Sequence, residues 1–455
     1  MPSQADLQDR RSKLARLLGA RPALIAAGVP RPRNYAANAY PYRASSHFLY
    51  LFGIPLRGAM GVYDGSEFTL YVPDPHPDQA LWEGAPPTPH EIATATGCPV
   101  RPFARLAASL RGRAVATLPA PDVETCLEQS RMLGREIRPG HVDVLDVPLA
   151  DAMIALRLQH DPAAVAELRL AAEATEAAHR AGMAATRAGR RAWTVRAAME
   201  AELAERGMGT AYPSIVTPHG EILHSERSDQ ELADGDLLLA DVGAETRGGW
   251  AGDVTRTWPV SGRFSPTQRD FYGLVLEAQR QAIAAVTPGT RYRNVHRIAS
   301  QALAAGLVDL GILRGDPIAL AEDGVVALLF PHGVGHLLGL DVHDMEDLGD
   351  RAGYAPGRQR ATQFGLSALR LDRDLLPGMA VTIEPGLYLA PAILDNPALA
   401  QVAGDRLNRT RLAQFGDVRG IRIEDDILVT ATGREVLTAG IPKTVDEIET
   451  AVGLA

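Results

Sequence analysis

The alternation of hydrophobic and polar positions changes character twice along the chain. Up to about residue 155, short apolar runs alternate with mixed stretches, which predicts brief strands interleaved with helices. Within that part AMGVYDGSEFTLYV sets Asp64-Gly65 between two apolar runs and predicts a hairpin. The segment after it, VPDPHPDQALWEGAPPTPH, is too rich in proline for regular structure. Helical rhythm then takes over. Asp161-Pro162 offers an N-cap followed by proline at the first helical position, and an Ala- and Glu-rich run continues to Gly189. From Thr194, Val195, Met199 and Leu203 share one helical face, with Gly207 as the stop.

From about residue 211 the pattern turns to strands: IVTPHGEILH, DLLLADVGAE, VTRTWPV, AVTIEPGLYL and IRIEDDILVT. Two helices are predicted between them, over 266–287 and 293–313. The longest irregular stretch, 345–368, is charged and contains glycines, and a loop of that length is more often functional than decorative. The change of pattern places a boundary at 155–160 and predicts two domains, 1–157 and 158–455. The second reads as strands flanked by helices, an α+β architecture.

Composition narrows the class. With 46% hydrophobic and 22% charged residues in 455, the chain can bury two cores. No stretch approaches the roughly 18 apolar residues of a membrane span, so no membrane partner is expected. The N-terminal MPSQADLQDRRSKLARLL lacks the apolar region of a secretory signal and reads as a surface helix. Two cysteines, Cys98 and Cys126, exclude a disulfide framework and point to a reducing cytoplasm. A net charge of −9 argues against nucleic acid as partner. It suits a protein that gathers carboxylates around cations.

The candidate chemistry lies at strand and loop edges. Asp241 ends the apolar run LLLAD, and Asp253 follows twelve positions later in GWAGD. A carboxylate beside a buried strand is costly unless paired, although a lone Asp there usually makes a turn or cap. In PHGVGHLLGLDVHD, His332 and His336 are four apart with Gly333 and Gly335 between them, which favours a loop over a zinc-binding helix face. His343 follows seven residues later; one metal ligand with one or two substrate-facing histidines fits better than three core histidines. Glu384 in VTIEPGLYL and Glu424 in GIRIEDDILV are glutamates in mostly apolar strands, hence candidate ligands or bases. For Glu424 the competing reading is an internal salt bridge with Arg422, two positions away on the same strand face. Four carboxylates and one imidazole suit Mn²⁺, Co²⁺ or Zn²⁺. A carboxylate-bridged pair of such ions, about 3.5–4 Å apart, clamps a hydroxide and polarises a carbonyl.

LLLADVGAETRGGWAGDVTRTWPV, PHGVGHLLGLDVHD, TIEPGLY and GIRIEDDILVT occur in the order found in the aminopeptidase P and prolidase family, which the chain resembles over its whole length. YPYRASSHFLYLFG looks like that family's N-terminal domain. The resemblance implies a creatinase-like α/β domain followed by a pita-bread metallopeptidase domain. It also implies two divalent ions, Mn²⁺ foremost with Co²⁺ or Zn²⁺ possible. Asp241 would chelate one ion, Asp253 and Glu424 would bridge both, and His336 and Glu384 would bind the second. Glu384 would also handle the proton of the attacking water. His343 would meet the scissile carbonyl, His224 in EILH would line the proline pocket, and His332, Arg422 and Tyr388 would stand beside them. One departure is visible: the two aspartates are twelve apart where the family has eleven, with the extra residue near Gly248-Gly249-Trp250.

The expected substrates are proline-containing di- or oligopeptides cleaved at the Xaa-Pro bond, whose nitrogen carries a ring and no N–H. LRLDRDLLPGM and the insert at 390–416 resemble prolidases, in which an arginine at the position of Arg370 clamps the carboxylate of a C-terminal proline. That favours a dipeptidase. The alternatives are an aminopeptidase P acting on longer peptides, with Arg370 paired to Asp372 or Asp374, and a non-catalytic peptide-binding relative. Methionine aminopeptidase and creatinase fit less well, the former lacking GLDVHD and the N-terminal domain, the latter lacking metals. A homodimer or homotetramer is implied by the family, with Trp82 in the Pro-rich loop as the candidate contact.

Overall fold

The computed structural model describes residues 1–452 and divides into two compact units. The first contains residues 1–164 and 345–352, the second 165–344 and 353 onward.

In the first unit a five-stranded mixed sheet runs in the order β4-β3-β2-β1-β5. Its strands are β1 (Ala23–Ala26), β2 (Met60–Tyr63), β3 (Phe68–Val72), β4 (Val100–Pro102) and β5 (Ala116–Thr117). The β2–β3 pair is the expected hairpin, with Asp64 Oδ1 accepting from the backbone N–H groups of Ser66 and Glu67 and Gly65 at φ 99. Leu24, Met60, Val62, Leu106 and Leu110 form the core on one face. The N-terminal helix Gln4–Leu18 is closed by a Ser3/Asp6 capping box and buries Leu7, Leu14 and Leu18. Its Arg10 reaches Asp161 through Nε (2.7 Å) and Nη2 (3.0 Å), while Asp161 accepts the N–H of Ala164 and so caps the helix Pro162–Ala185.

The second unit carries β6 (Gly209–Thr210), β7 (Ile215–Thr217), β8 (Leu237–Asp241), β9 (Ala244–Glu245) and β10 (Thr255–Pro259). It continues with β11 (Ala380–Ile383), β12 (Gly386–Tyr388), β13 (Gly420–Arg422), β14 (Asp425–Val429) and β15 (Arg434–Val436). They pair as β10-β8-β7, β11-β14-β15, β12-β13 and β6-β9. The strand read over IVTPHGEILH stops at Thr217, because Pro218 has no N–H for a ladder and residues 219–224 turn. The helices Pro266–Ala285, entered through a Ser265/Gln268 capping box, and Tyr292–Asp309 bury Phe271, Tyr272, Val295 and Leu303.

Two features position the site. Asp241 closes β8 between Ile215 on one side and Thr255 on the other. The chain then returns through a turn in which the Thr246 hydroxyl accepts from the N–H groups of Gly248 and Trp250, with Gly249 at φ 86. This turn accommodates the twelve-residue spacing. The second feature is a break in a long antiparallel ladder. Ile383 faces Asp425 and Gly386 faces Arg422. The register is the same on both sides of the gap, so Glu384 stands opposite Glu424. Pro385 interrupts the ladder there because it cannot donate.

Candidate metal centre and substrate pocket

Three ligand atoms, one each from Asp253, His336 and Glu424, lie within 4.8 Å of one another, and all three residues are buried. His336 Nε2 is 3.3 Å from Asp253 Oδ2 and 3.6 Å from Glu384 Oε1. Its Nδ1 is 3.0 Å from the Leu337 carbonyl, to which it donates, so the ring turns Nε2 toward the acids. Asp241 joins through Tyr212, whose hydroxyl is 2.6 Å from Oδ1 of both Asp241 and Asp253. The five sequence-predicted ligands thus converge on one pocket of about 320 Å³.

Electrostatically the acids of the cluster outnumber its cations, Arg422 and His336. Like charges directly opposite in a ladder repel, and Glu384 faces Glu424. Burial pushes Glu384 up to about 7, and burial with the Asp253, Glu384 and Asp241 carboxylates pushes Glu424 well above the carboxylate range. Asp241 is raised, by burial first and against the pull of Arg422. Burial disfavours the His336 imidazolium, but its bond to Asp253 and the charge of Glu384 outweigh that and lift it to about 9. The ring thereby becomes the cation that the acids demand. Glu424 Oε2 accepts from Thr255 Oγ1 at 2.8 Å, whereas Oε1 is buried without a hydrogen-bond partner among the described residues. A lone buried carboxylate oxygen amid hard oxygen donors and one imidazole fits a divalent cation.

A second layer orders the first. Arg422 donates to Thr255 Oγ1 (2.8 Å), Tyr388 Oη (3.2 Å) and Asp241 Oδ2 (2.5 Å). It therefore pairs with Asp241 and not with Glu424, the salt bridge considered from the sequence. Since the guanidinium only donates, Tyr388 accepts from it and donates to His332 Nε2 at 2.8 Å, and His332 Nδ1 donates to the Gly333 carbonyl at 2.8 Å. Burial pulls His332 down to about 3, so it is neutral and both its nitrogens are engaged. The ring itself borders the pocket, while Tyr388 stands behind the wall. His224, His343 and Arg370 line the same pocket, and the His343 ring sits 4.2 Å from that of His336. Asp372 receives Arg291 on both oxygens at 2.6 Å, and Asp374 receives Arg358.

Sequence reasoning missed Tyr212, Thr255 and Asp426. Thr255 was findable, since it lies two residues after Asp253. Asp426 shares a strand face with Glu424, and its Oδ2 accepts the Asp253 N–H at 3.1 Å. No local signal marks Tyr212.

With the geometry in hand, comparison with known proteins is informative. Residues 166–431 match metallopeptidase family M24 and residues 7–117 match the aminopeptidase P N-terminal domain. A probable Xaa-Pro aminopeptidase of Penicillium rubens is 32% identical over 428 residues, 90% of this chain and 88% of that one. The Xaa-Pro dipeptidase of Homo sapiens is 30% identical over 425 residues, 90% of this chain and 84% of that one. The solved structure of proline aminopeptidase P II from Yersinia pestis superposes with a TM-score of 0.81 at 30% identity, covering 100% of both chains. Among the described residues no helix is long and apolar enough to cross a membrane. Joined to an acidic, cation-demanding centre in a two-unit α+β fold, these matches establish that the chain belongs to the aminopeptidase P and prolidase family of M24 metallopeptidases.

Proposed function

We propose that the protein is a metal-dependent exopeptidase that hydrolyses the Xaa-Pro bond, and within that class an Xaa-Pro dipeptidase. The observation carrying the finer reading is that Arg370 lines the pocket holding the acid cluster. The pocket's 320 Å³ is at the low end for ligand sites and suits a short substrate. The free α-amine meets the acids, and the Arg370 guanidinium grips the proline carboxylate at the other end. A bound pair of divalent ions, Mn²⁺ foremost, supplies an activated water and a polarised carbonyl. Asp241, Asp253, His336, Glu384 and Glu424 would hold them. Glu384 takes the proton of the attacking water and returns it to the proline nitrogen as the C–N bond breaks. His343 donates to the carbonyl oxygen as it gains charge, His224 lines the proline pocket, and His332, fixed by Tyr388, keeps Arg422 on Asp241.

Cys98 and Cys126 are buried free thiols, which agrees with a cytoplasmic setting. Trp82, 79% exposed on the short helix Gln79–Trp82, is the contact we assign to a homodimer or homotetramer. The substrate reading is tested with Ala-Pro and a tripeptide Xaa-Pro-Xaa. Wild type is expected to prefer Ala-Pro, and Arg370→Ala to lose about 10²-fold in kcat/KM on it, with little change on the tripeptide. Equal or faster tripeptide turnover by wild type assigns an aminopeptidase instead.

A further inference from the structure

The turn that carries His224 is held against β13 by residues lying wholly within the second unit. β7 ends at Thr217, whose Oγ1 accepts the His219 N–H at 3.0 Å, and the His219 carbonyl accepts the Ile222 N–H at 3.0 Å. These bonds shape the turn locally. Leu223 and His224, which follow, line the substrate pocket.

Two contacts dock the turn on β13. The first is steric. A Cβ on Gly220 would fall 2.5 Å from the Gly420 carbonyl oxygen, and one on Gly420 would fall 2.2 Å from the Gly220 carbonyl carbon. The two backbones touch because neither residue has a side chain. Such a contact permits the approach but supplies little attraction. The second contact is polar. Arg419 Nη1 is 2.7 Å from His219 Nδ1 and 3.4 Å from Nε2, while Glu221 Oε1 is 3.0 Å from Nδ1. In a neutral ring Nδ1 serves one of these partners at a time. In one tautomer it accepts from Arg419. In the other it donates to Glu221, and Nε2 accepts from Arg419. Either way the guanidinium keeps hold of the ring.

Arg419 is itself held in place. It immediately precedes β13 and keeps φ 55, a left-handed conformation that a non-glycine residue adopts only where its surroundings impose it. Its carbonyl accepts the Leu389 N–H at 2.7 Å, just beyond the end of β12. The backbone is thus tied to one strand end while the half-buried guanidinium reaches a turn 200 positions earlier. No step of the proposed reaction uses Arg419, His219 or Glu221.

We propose, on the reading that His224 lines the proline pocket, that Arg419, acting through His219, is a positioning residue that holds His224 there. Kinetics of the metal-loaded full chain test this, on whichever Xaa-Pro substrate wild type cleaves faster. The variants are Arg419→Gly alone and in a His224→Ala background; glycine removes the guanidinium and tolerates φ 55. Arg419→Gly is expected to raise KM about three- to fivefold, the scale of a half-exposed polar contact, with kcat changed less than about twofold. The rise should vanish once His224 is absent. Arg419→Lys, which still donates to His219, should recover most of the loss. If Arg419→Gly melts below the assay temperature, His219→Ala, which removes the relay from the turn itself, must show the same KM rise and the same dependence on His224. An unchanged KM in Arg419→Gly, or an equal rise with and without His224, overturns the positioning role. An unchanged KM in His224→Ala overturns the reading of His224, and the inference with it. Wild type that cleaves no Xaa-Pro substrate overturns the proposed function itself.

Discussion

Glu424 and Asp425 are adjacent in sequence and both buried, yet their surroundings differ in every electrostatic respect. Asp425 points away from the site into a saturated network. It accepts from Arg256 Nη2 (2.8 Å), Lys443 Nζ (2.6 Å), Gln279 Nε2 (2.8 Å) and Thr438 Oγ1 (2.8 Å). Burial alone would raise its carboxyl, but Arg256 and Lys443 outweigh that and hold it below the usual range. Glu424, on the opposite strand face, meets other carboxylates, keeps one oxygen without a partner, and is raised. A buried charge supplied with its countercharge belongs to the scaffold. A buried charge left short of one marks the place where a cation belongs.

The contrast can be broken from either side. The largest effect is expected at the centre: Asp253→Asn keeps the Tyr212 hydrogen bond but removes a carboxylate that we assign to the metal centre. We expect kcat/KM for Xaa-Pro cleavage to fall by on the order of 10³-fold or more. The metal-free protein should keep its fold, which a cooperative melting transition checks. Full activity in this variant refutes the ligand assignment. Next, Asp425→Asn leaves the buried Arg256 and the half-buried Lys443 without their counterion, and should destabilise the fold by about 3–5 kcal/mol in denaturant titration. A loss below about 1 kcal/mol would show that the network is not the scaffold element described here.

The smallest expected effect concerns pH. The Glu384 carboxyl is raised to about 7 from an ordinary 4.5. Its contribution to metal-free stability is therefore complete below about 4.5 and lost as pH rises through about 7. A bound cation requires the ionised form and reverses that loss. The difference in melting temperature between Mn²⁺-loaded and chelator-treated protein should accordingly widen by a few degrees (~2–5 °C) between about pH 5 and 8. A difference that stays flat or narrows over that range contradicts the assignment of Glu384 to the metal site.

The five candidate ligands and their order along the chain stand out in the sequence, and the fold brings them to one pocket. Acids and an imidazole interrupting β-branched, apolar runs are rare enough to stand out, and their motifs recur together in one family. The hairpin at Asp64-Gly65 and the helix start at Asp161-Pro162 were equally legible, because each depends on residues within one turn of chain. Partnerships were not. Arg422 shares a strand face with Glu424, yet in the fold it pairs with Asp241, 181 residues distant. Tyr212 joins Asp241 to Asp253 from a position with no periodicity to betray it.

What the chain alone offered is a set of candidate cation-holding groups and a family resemblance that implies the class of bond, because ligand chemistry is a property of side chains. Tertiary structure decided that Glu384 stands opposite Glu424, that Asp425 is neutralised one residue away, and that residues 345–352 belong with the first unit. Each of these depends on register or packing between segments that are not neighbours along the chain. Local propensity is silent at that range, and only closing the ladder shows which charges meet.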